Sequence, residues 1–333
     1  MTKMKLPTIP DDVELGSDGP GICRHLFDSA SRNAILAALG AGRPLLLRGE
    51  PGVGKSQLAE AAASVLNRLL LTVVVDSRTE SRDLLYQIDT LRRLAEAQLC
   101  GALPATTAED FKKTRQRVSL RRFIAPGPLW WAFDWTSAAA QARRAGITGR
   151  YSEEQWENAE GAVLLIDEID KAEADVPNGL LEALGAGRFS VADRPDPIRQ
   201  TSVPPLVVIT TNEERSLPQA FVRRCVVLTL QLPGEFDDNG RNPELQQWLV
   251  DRGVAHFGQQ LHVDVLKAAA EQLVEDRFRA IDGHWQIKPG QAEYLDLLRA
   301  VAELDPGLQN KASQLQRLEA IREFILRKDR GDS

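Results

Sequence analysis

Cysteine is scarce in this 333-residue sequence: Cys23, Cys100 and Cys225 are too few and too scattered for a disulfide framework or a paired-cysteine zinc site. They read as small buried hydrophobes in a reducing compartment. No apolar run approaches the roughly 18 residues a membrane-spanning helix needs. The opening MTKMKLPTIPDDVE also lacks the apolar core of a signal peptide, so we expect a cytoplasmic protein without a membrane span. Positive charge is not in excess either. Lys plus Arg number 41 against 47 Asp plus Glu, a net charge of −6 that is opposite in sign to a nucleic-acid footprint, so any nucleic-acid surface is local. Internal repeats and low-complexity tracts are missing. With 43% hydrophobic and 26% charged residues, collagenous and wholly disordered classes drop out as well.

What is present is an alternation of short apolar runs with longer helical patterns. Leu45 to Arg48, Leu71 to Val75, Ala162 to Ile166, Leu206 to Thr210 and Val226 to Leu230 read as five buried strands of one mostly parallel sheet. Between the first two, Gln57 to Leu66 is rich in good helix formers and supplies the crossover that parallel pairing requires. From Gln231 to Gly240 the chain is polar and turn-rich, and beyond it only helices are expected, over Pro243 to Val250, Val263 to Arg279, Pro289 to Leu304 and Lys311 to Arg327. We therefore divide the chain at about residue 235, into an α/β part, 1–235, and an all-α part, 236–333.

Gly49-Glu50-Pro51-Gly52-Val53-Gly54-Lys55-Ser56, continued by Gln57, fits the phosphate-loop pattern GxxxxGK[ST] and lies between a strand and a helix. Its glycines let backbone N–H groups close around phosphate oxygens, helped by the positive end of the following helix. Lys55 is placed to reach the β and γ phosphates and Ser56 to ligate Mg²⁺. The apolar run ending in Asp167-Glu168 delivers two carboxylates to the carboxyl edge of the sheet. There Asp167 suits the Mg²⁺ shell and Glu168 suits polarising the attacking water. Asn212 ends the next buried run, where it is placed to help position that water or simply to close a turn. Arg223 and Arg224 precede the last strand, as a transition-state guanidinium offered to a neighbour's nucleotide or as surface ion pairs.

These motifs, with LLIDEIDKA, TTN and LPQAFVRRC, occur in the order of AAA+ ATPases, and the chain resembles the MoxR group of that superfamily. The residues that carry the finer resemblance are Gly49-Glu50-Pro51-Gly52, Arg82-Asp83-Leu84-Leu85, Pro126-Gly127-Pro128-Leu129 and the stretch from Thr211 to Pro218. The resemblance implies an AAA+ P-loop NTPase core with a five-stranded parallel sheet and a small helical lid, binding ATP and Mg²⁺. It further implies assembly into a hexameric ring or spiral that remodels a partner protein, often one with a von Willebrand factor type A domain. By it Asn212 matches sensor 1 and Arg224 the finger acting in trans, with Arg223 as fallback. One departure stands out. Where the family carries a second sensor arginine, this chain reads Gln286-Ile287-Lys288-Pro289-Gly290-Gln291, leaving Lys288 as the substitute.

The stretch from Lys55 to Asp167 is longer than one more strand and its helices require, so an insert is expected over about residues 90–155. Within it Phe111 to Ile124 carries six Lys and Arg and no acid, followed by Trp130, Trp131 and Trp135. Such a run is a solvated helix face with a tryptophan core, or a surface that grips peptide or nucleic acid by charge and stacking. Two other functions stay open on sequence grounds: an ATP-binding assembly switch with little turnover, and an ATPase subunit of a nucleic-acid or defence complex.

Overall fold

The computed structural model describes residues 7–16, 23–102, 107–148, 151–201, 203–285 and 287–326. Gln286, Arg327 and the stretches 103–106 and 149–150 of the expected insert lie outside the described residues. The chain forms two compact units, one of Met1–Thr8, Asn33–Leu47 and Ala62–Leu228, the other of Ile9–Arg32, Arg48–Ala61 and Thr229–Ser333.

The five apolar runs form β1 (Leu45–Arg48), β2 (Leu69–Val74), β3 (Ala162–Asp167), β4 (Leu206–Thr211) and β5 (Val226–Thr229), in the order β5-β1-β4-β3-β2. The sheet is parallel, as the sequence predicts, with Leu206 opposite Val163 and Leu69 opposite Ala162. Position in the sheet explains composition. The inner strands β3 and β4 are enclosed on both faces and apolar until their carboxyl ends, where Asp167 and Thr210-Thr211 stand, whereas edge strand β2 is only partly buried.

The Pro126 to Leu129 motif has a steric explanation. A Cβ on Gly127 would lie 2.6 Å from the Asp83 carbonyl oxygen and 2.7 Å from that of Leu84, so only glycine lets the two segments touch. The Leu129 N–H then donates to Leu84 O at 2.9 Å. The short helix Pro128–Phe133 that follows is buried at every position. Trp130 is 1% exposed and packs edge-on to Phe189, while Trp135 stacks on Trp156 with centroids 4.7 Å apart. The tryptophans are core. The stacking-surface alternative for them is overturned, because rings with so little accessible face have none to offer a substrate.

The basic run is partly neutralised from outside itself. Arg117 pairs with Glu96 at 2.7 Å, Lys113 with Glu109 at 3.2 Å, and Arg121 with Asp193 at 3.7 Å. Exposed Phe111 is on the helix Ala108–Arg117, whose first turn is fixed by a Thr107–Asp110 capping box. No helix among the described residues is long and apolar enough to cross a membrane.

In the other unit, α1 (Pro243–Phe257), α2 (Val263–Asp282), α3 (Gln291–Leu304) and α4 (Lys311–Leu326) pack around Leu249, Leu273, Tyr294 and Leu298. No strand follows Thr229 among the described residues. Gln314, fully buried, joins two helix connections by donating to the carbonyls of Gln260 in one and of Asp305 and Gly307 in the other. An antiparallel pair that the sequence patterns do not predict, Asp12–Leu15 with Cys23–Leu26, belongs to this unit and meets α1. Here His25, half-buried on the second strand, and His256, buried on α1, both have pKa values lowered from 6.5 to about 4, chiefly by desolvation and further by the Arg252 charge, with Arg299 adding to the effect at His256. A hydrogen bond that the ring donates to Gln57 Oε1 and the charge of Asp28 oppose it at His25.

Two predictions concern stability. The unfolded chain takes up protons at both histidines near pH 6.5, whereas the folded chain resists until about pH 4, so their contribution is full above pH 6.5 and is lost as pH falls through that window. The urea midpoint of the wild type should therefore fall more steeply across this window than that of a His25→Gln, His256→Gln variant; parallel profiles would contradict the desolvated, neutral state of the two rings. Trp130→Ala should lower stability by about 3–5 kcal/mol. A loss under about 1 kcal/mol would show that the ring is not packed.

Candidate functional site

The phosphate loop leaves the carboxyl end of β1 and closes with glycines at Gly49 (φ 145°), Gly52 (φ 77°) and Gly54 (φ 96°), conformations that side chains rarely adopt. At Gly49 a Cβ would come 2.3 Å from the Leu230 carbonyl oxygen, so this position also requires glycine sterically. Lys55, 7% exposed, curls back and donates to the carbonyls of Gly49 at 2.7 Å and Glu50 at 2.9 Å. The ammonium thus sits inside the loop, held by its backbone. Val53 is buried and Ser56 is the second residue of the helix Lys55–Val65. Gln57 turns instead to the N-terminal pair, contacting His25 at 3.4 Å and Cys23 Sγ at 3.6 Å. That placement puts it beside the loop as a brace.

Helical residues of the same unit grip this loop. The Ala292 N–H donates to Gly52 O at 3.1 Å, and a Cβ on Gly54 would meet the Gln291 amide at 3.5 Å. Arg277, buried on α2, donates to Glu50 Oε2 at 2.6 Å and to the Pro289 carbonyl at 3.0 Å. Lys288 reaches Glu50 only at 3.9 Å and keeps 38% of its side chain exposed. Sequence patterns do not single out Arg277. A mid-helix arginine 227 positions from its partner carries no local signal.

At the carboxyl end of β3 the acids are fixed by a residue that sequence patterns also leave unmarked. The Thr210 hydroxyl donates to Asp167 Oδ1 at 2.5 Å and accepts from the Glu168 N–H at 2.9 Å. Glu168 has φ 60° and ψ 46°, left-handed and uncommon for a non-glycine residue. This turn sends its side chain to Lys171 at 2.7 Å, and the carboxylate raises the Lys171 pKa. Asp170, 2% exposed, accepts from the N–H groups of Asn212 at 3.2 Å and Glu214 at 3.0 Å. Asn212 is therefore held by its backbone. Arg223 and Arg224 follow the short helix Gln219–Val222, whose Phe221 is fully buried; both arginines are exposed, with no side-chain partner among the described residues.

The residues fit a nucleotide with Mg²⁺ as far as their chemistry goes: a glycine cradle holding an ammonium, a helix-start hydroxyl, and a strand-end carboxylate already oriented by a hydroxyl.

Residues 44–225, more than half of the chain, match the family described as AAA domain, dynein-related subfamily. No curated protein matches the sequence. Among solved structures, a presumptive ATPase of Cytophaga hutchinsonii aligns over 89% of this chain and 79% of its own, with 13% identity and a TM-score of 0.36. The RuvB Holliday junction branch migration motor of Thermotoga maritima aligns over 89% of this chain and 70% of its own, with 15% identity and a TM-score of 0.41. A point mutant of that RuvB covers 87% and 67%, with 15% identity and a TM-score of 0.44. These likenesses are remote.

Arg277 and Glu50 should be coupled. In a double-mutant cycle with Arg277→Met and Glu50→Gln, unfolding in urea should give a coupling of about 1 kcal/mol, the value of a charge-assisted hydrogen bond reduced for a half-exposed carboxylate. Lys288→Met with Glu50→Gln should give almost none; equal coupling would make Lys288 the true anchor.

Proposed function

The chain belongs to the AAA domain family in its dynein-related subfamily and is an ATPase; from that premise we propose a Mg²⁺-dependent, MoxR-like ATPase that assembles with copies of itself and remodels or activates a partner protein. The partner class we favour carries a von Willebrand factor type A domain, by the resemblance alone. In this reading residues 1–235 form the nucleotide core, with an insert over about 90–155, and 236–333 form the lid. The observation that carries assembly is Arg224, exposed beside Arg223 on a base anchored by Phe221 and without a side-chain partner among the described residues. A guanidinium so placed has its donors available to a nucleotide on a neighbouring copy, where such a charge contributes roughly 10³–10⁵ in rate.

The residues act as follows. Backbone N–H groups of Gly49 to Gly54 bind phosphate oxygens, and Lys55 exchanges its carbonyl partners for the β and γ phosphates. Ser56 and Asp167 would hold Mg²⁺, which neutralises charge on the phosphate oxygens when bound. Glu168, released from Lys171, accepts a hydrogen bond from the attacking water and orients it in line, with Asn212 as its second contact. Lys171 thereby keeps the carboxylate occupied until nucleotide and partner are in place. Arg277 acts through Glu50 as a positioning residue, a stronger candidate than Lys288 to couple the helices to the loop. An ordered acid pair, Asp167 with Glu168, favours turnover over a passive switch.

The test is ATP turnover per chain over a wide range of protein concentration, for the wild type, Arg224→Ala and Glu168→Gln. The wild type should rise with concentration to a plateau; Arg224→Ala should stay low while still binding nucleotide, and Glu168→Gln should bind ATP with turnover reduced at least about a hundredfold. Flat wild-type activity with an unaffected Arg224→Ala would refute a finger supplied in trans. Unimpaired hydrolysis in Glu168→Gln would remove it as the water-orienting group.

A further inference from the structure

Between the insert and the small hairpin Arg188–Phe189/Ile198–Arg199 lies a cleft of about 170 Å³ that the nucleotide chemistry does not use. Arg121, Arg144 and Arg194 line it, over a floor of Ile124, Trp130 and Val191. Three guanidinium groups converge here in a chain whose net charge is −6. Each is set differently. Arg121 donates from Nε to the Asp193 carbonyl at 2.7 Å, and Asp193 is itself in a left-handed turn with φ 58°. Arg194 lies over the Trp130 ring, 5.6 Å from its centroid, while the indole N–H is engaged by Ser137 at 2.9 Å. Buried Gln141 donates to the carbonyls of Arg121 and Ile124 at 2.7 and 2.8 Å, fixing the backbone beneath. Arg144 is exposed and has no side-chain partner among the described residues.

We propose that this cleft docks an acidic segment of the partner polypeptide, its carboxylates taken by Arg144, Arg194 and the outer nitrogens of Arg121. The inference rests on the partner-protein reading and names the chemistry by which the partner is held. Two observations favour carboxylates on a peptide over a nucleic-acid backbone. Asp196 lines the cleft and Asp193 pairs with Arg121, so an anion is welcome at one point and repelled beside it, which suits a discrete side chain and not a continuous phosphate track. The one ring in the lining, Trp130, is 1% exposed and covered by Arg194, so no face is left on which a base can stack. Guanidinium pairs with carboxylates in a bidentate fashion, and a cation–π contact such as that of Arg194 with Trp130 helps to order the group for it.

The test uses the full chain and fluorescence anisotropy at physiological salt. The probes are a fluorescein-labelled peptide alternating glutamate and alanine, the same peptide with glutamine for glutamate, and labelled oligo-dT. The wild type should prefer the acidic peptide to both others. Arg144→Gln with Arg194→Gln should weaken it at least about tenfold. Arg144→Gln alone, which touches no packing, should weaken it about threefold or more, and Arg143→Gln, whose side chain lines a different cavity, should leave it within about twofold. Equal binding of the glutamine peptide, or an acidic peptide bound as well by the Arg144 variants, overturns the proposal. Tighter binding of oligo-dT that the same variants abolish overturns it too, in favour of nucleic acid. The concentration dependence of turnover needs no peptide, so the assembly reading and the docking cleft fail separately.

Discussion

A strand that is buried on both faces has nowhere to put a charge except at its end, and that constraint organises the acid edge. From Ala162 to Ile166 the strand β3 is wholly apolar and enclosed, so Asp167 is the first position where a carboxylate is tolerated. Leaving it there still demands a partner, and β4 supplies one because parallel register sets Ile209 opposite Ile166 and brings Thr210 to the same level. One hydroxyl then satisfies the Asp167 carboxylate and the Glu168 N–H together. The left-handed turn at Glu168 stands directly beside this double hydrogen bond. It costs backbone strain of order 1–3 kcal/mol, which the surrounding register supports.

The phosphate loop meets the same problem with backbone in place of side chain. Three glycines take left-handed or similarly rare conformations, and a buried ammonium in their midst must be solvated by something. The carbonyls of Gly49 and Glu50 do this, so the loop keeps its shape around Lys55. Glu50 is in turn anchored by Arg277, and the main chain of Gly52 by Ala292. A shift of α2 or α3 would therefore be felt directly by residues that, on the proposed function, touch phosphate. Because both contacts fall within one compact unit, the loop and the helices are to be understood together, although the sequence places them at opposite ends of the chain.

Much of this architecture is legible in the sequence alone. The five strands are readable because continuous apolar runs bounded by polar turns have few other uses, and the phosphate loop because its glycine spacing is set by a ligand. The illegible parts are those whose cause lies far away in sequence. Thr210 looks like an ordinary strand former until its register with β3 is known. Arg277 looks like any amphipathic helix residue. The pair Asp12–Leu15 and Cys23–Leu26 is four residues a side, its second strand without polar alternation, and too short to stand out. The tryptophans show the reverse difficulty, since composition identifies a cluster but cannot tell a core from a gripping surface. Gly127 resolves it: the close approach to Asp83 and Leu84 that only glycine allows draws the next helix inward and buries its rings.

The arginines show how differently one residue type is used within the chain. Arg277 is buried and committed, Arg117 is tied to Glu96, and Arg194 lies over an indole. Arg223, Arg224 and Arg144 are exposed and have no side-chain partner among the described residues. Guanidinium cannot shed its charge at physiological pH, so solvent alone satisfies these three in a single copy. An anion brought by another molecule gains from such a group what an already paired one would have to give up, which is why the exposed arginines, and not the buried ones, are where a neighbour or a partner is expected to register.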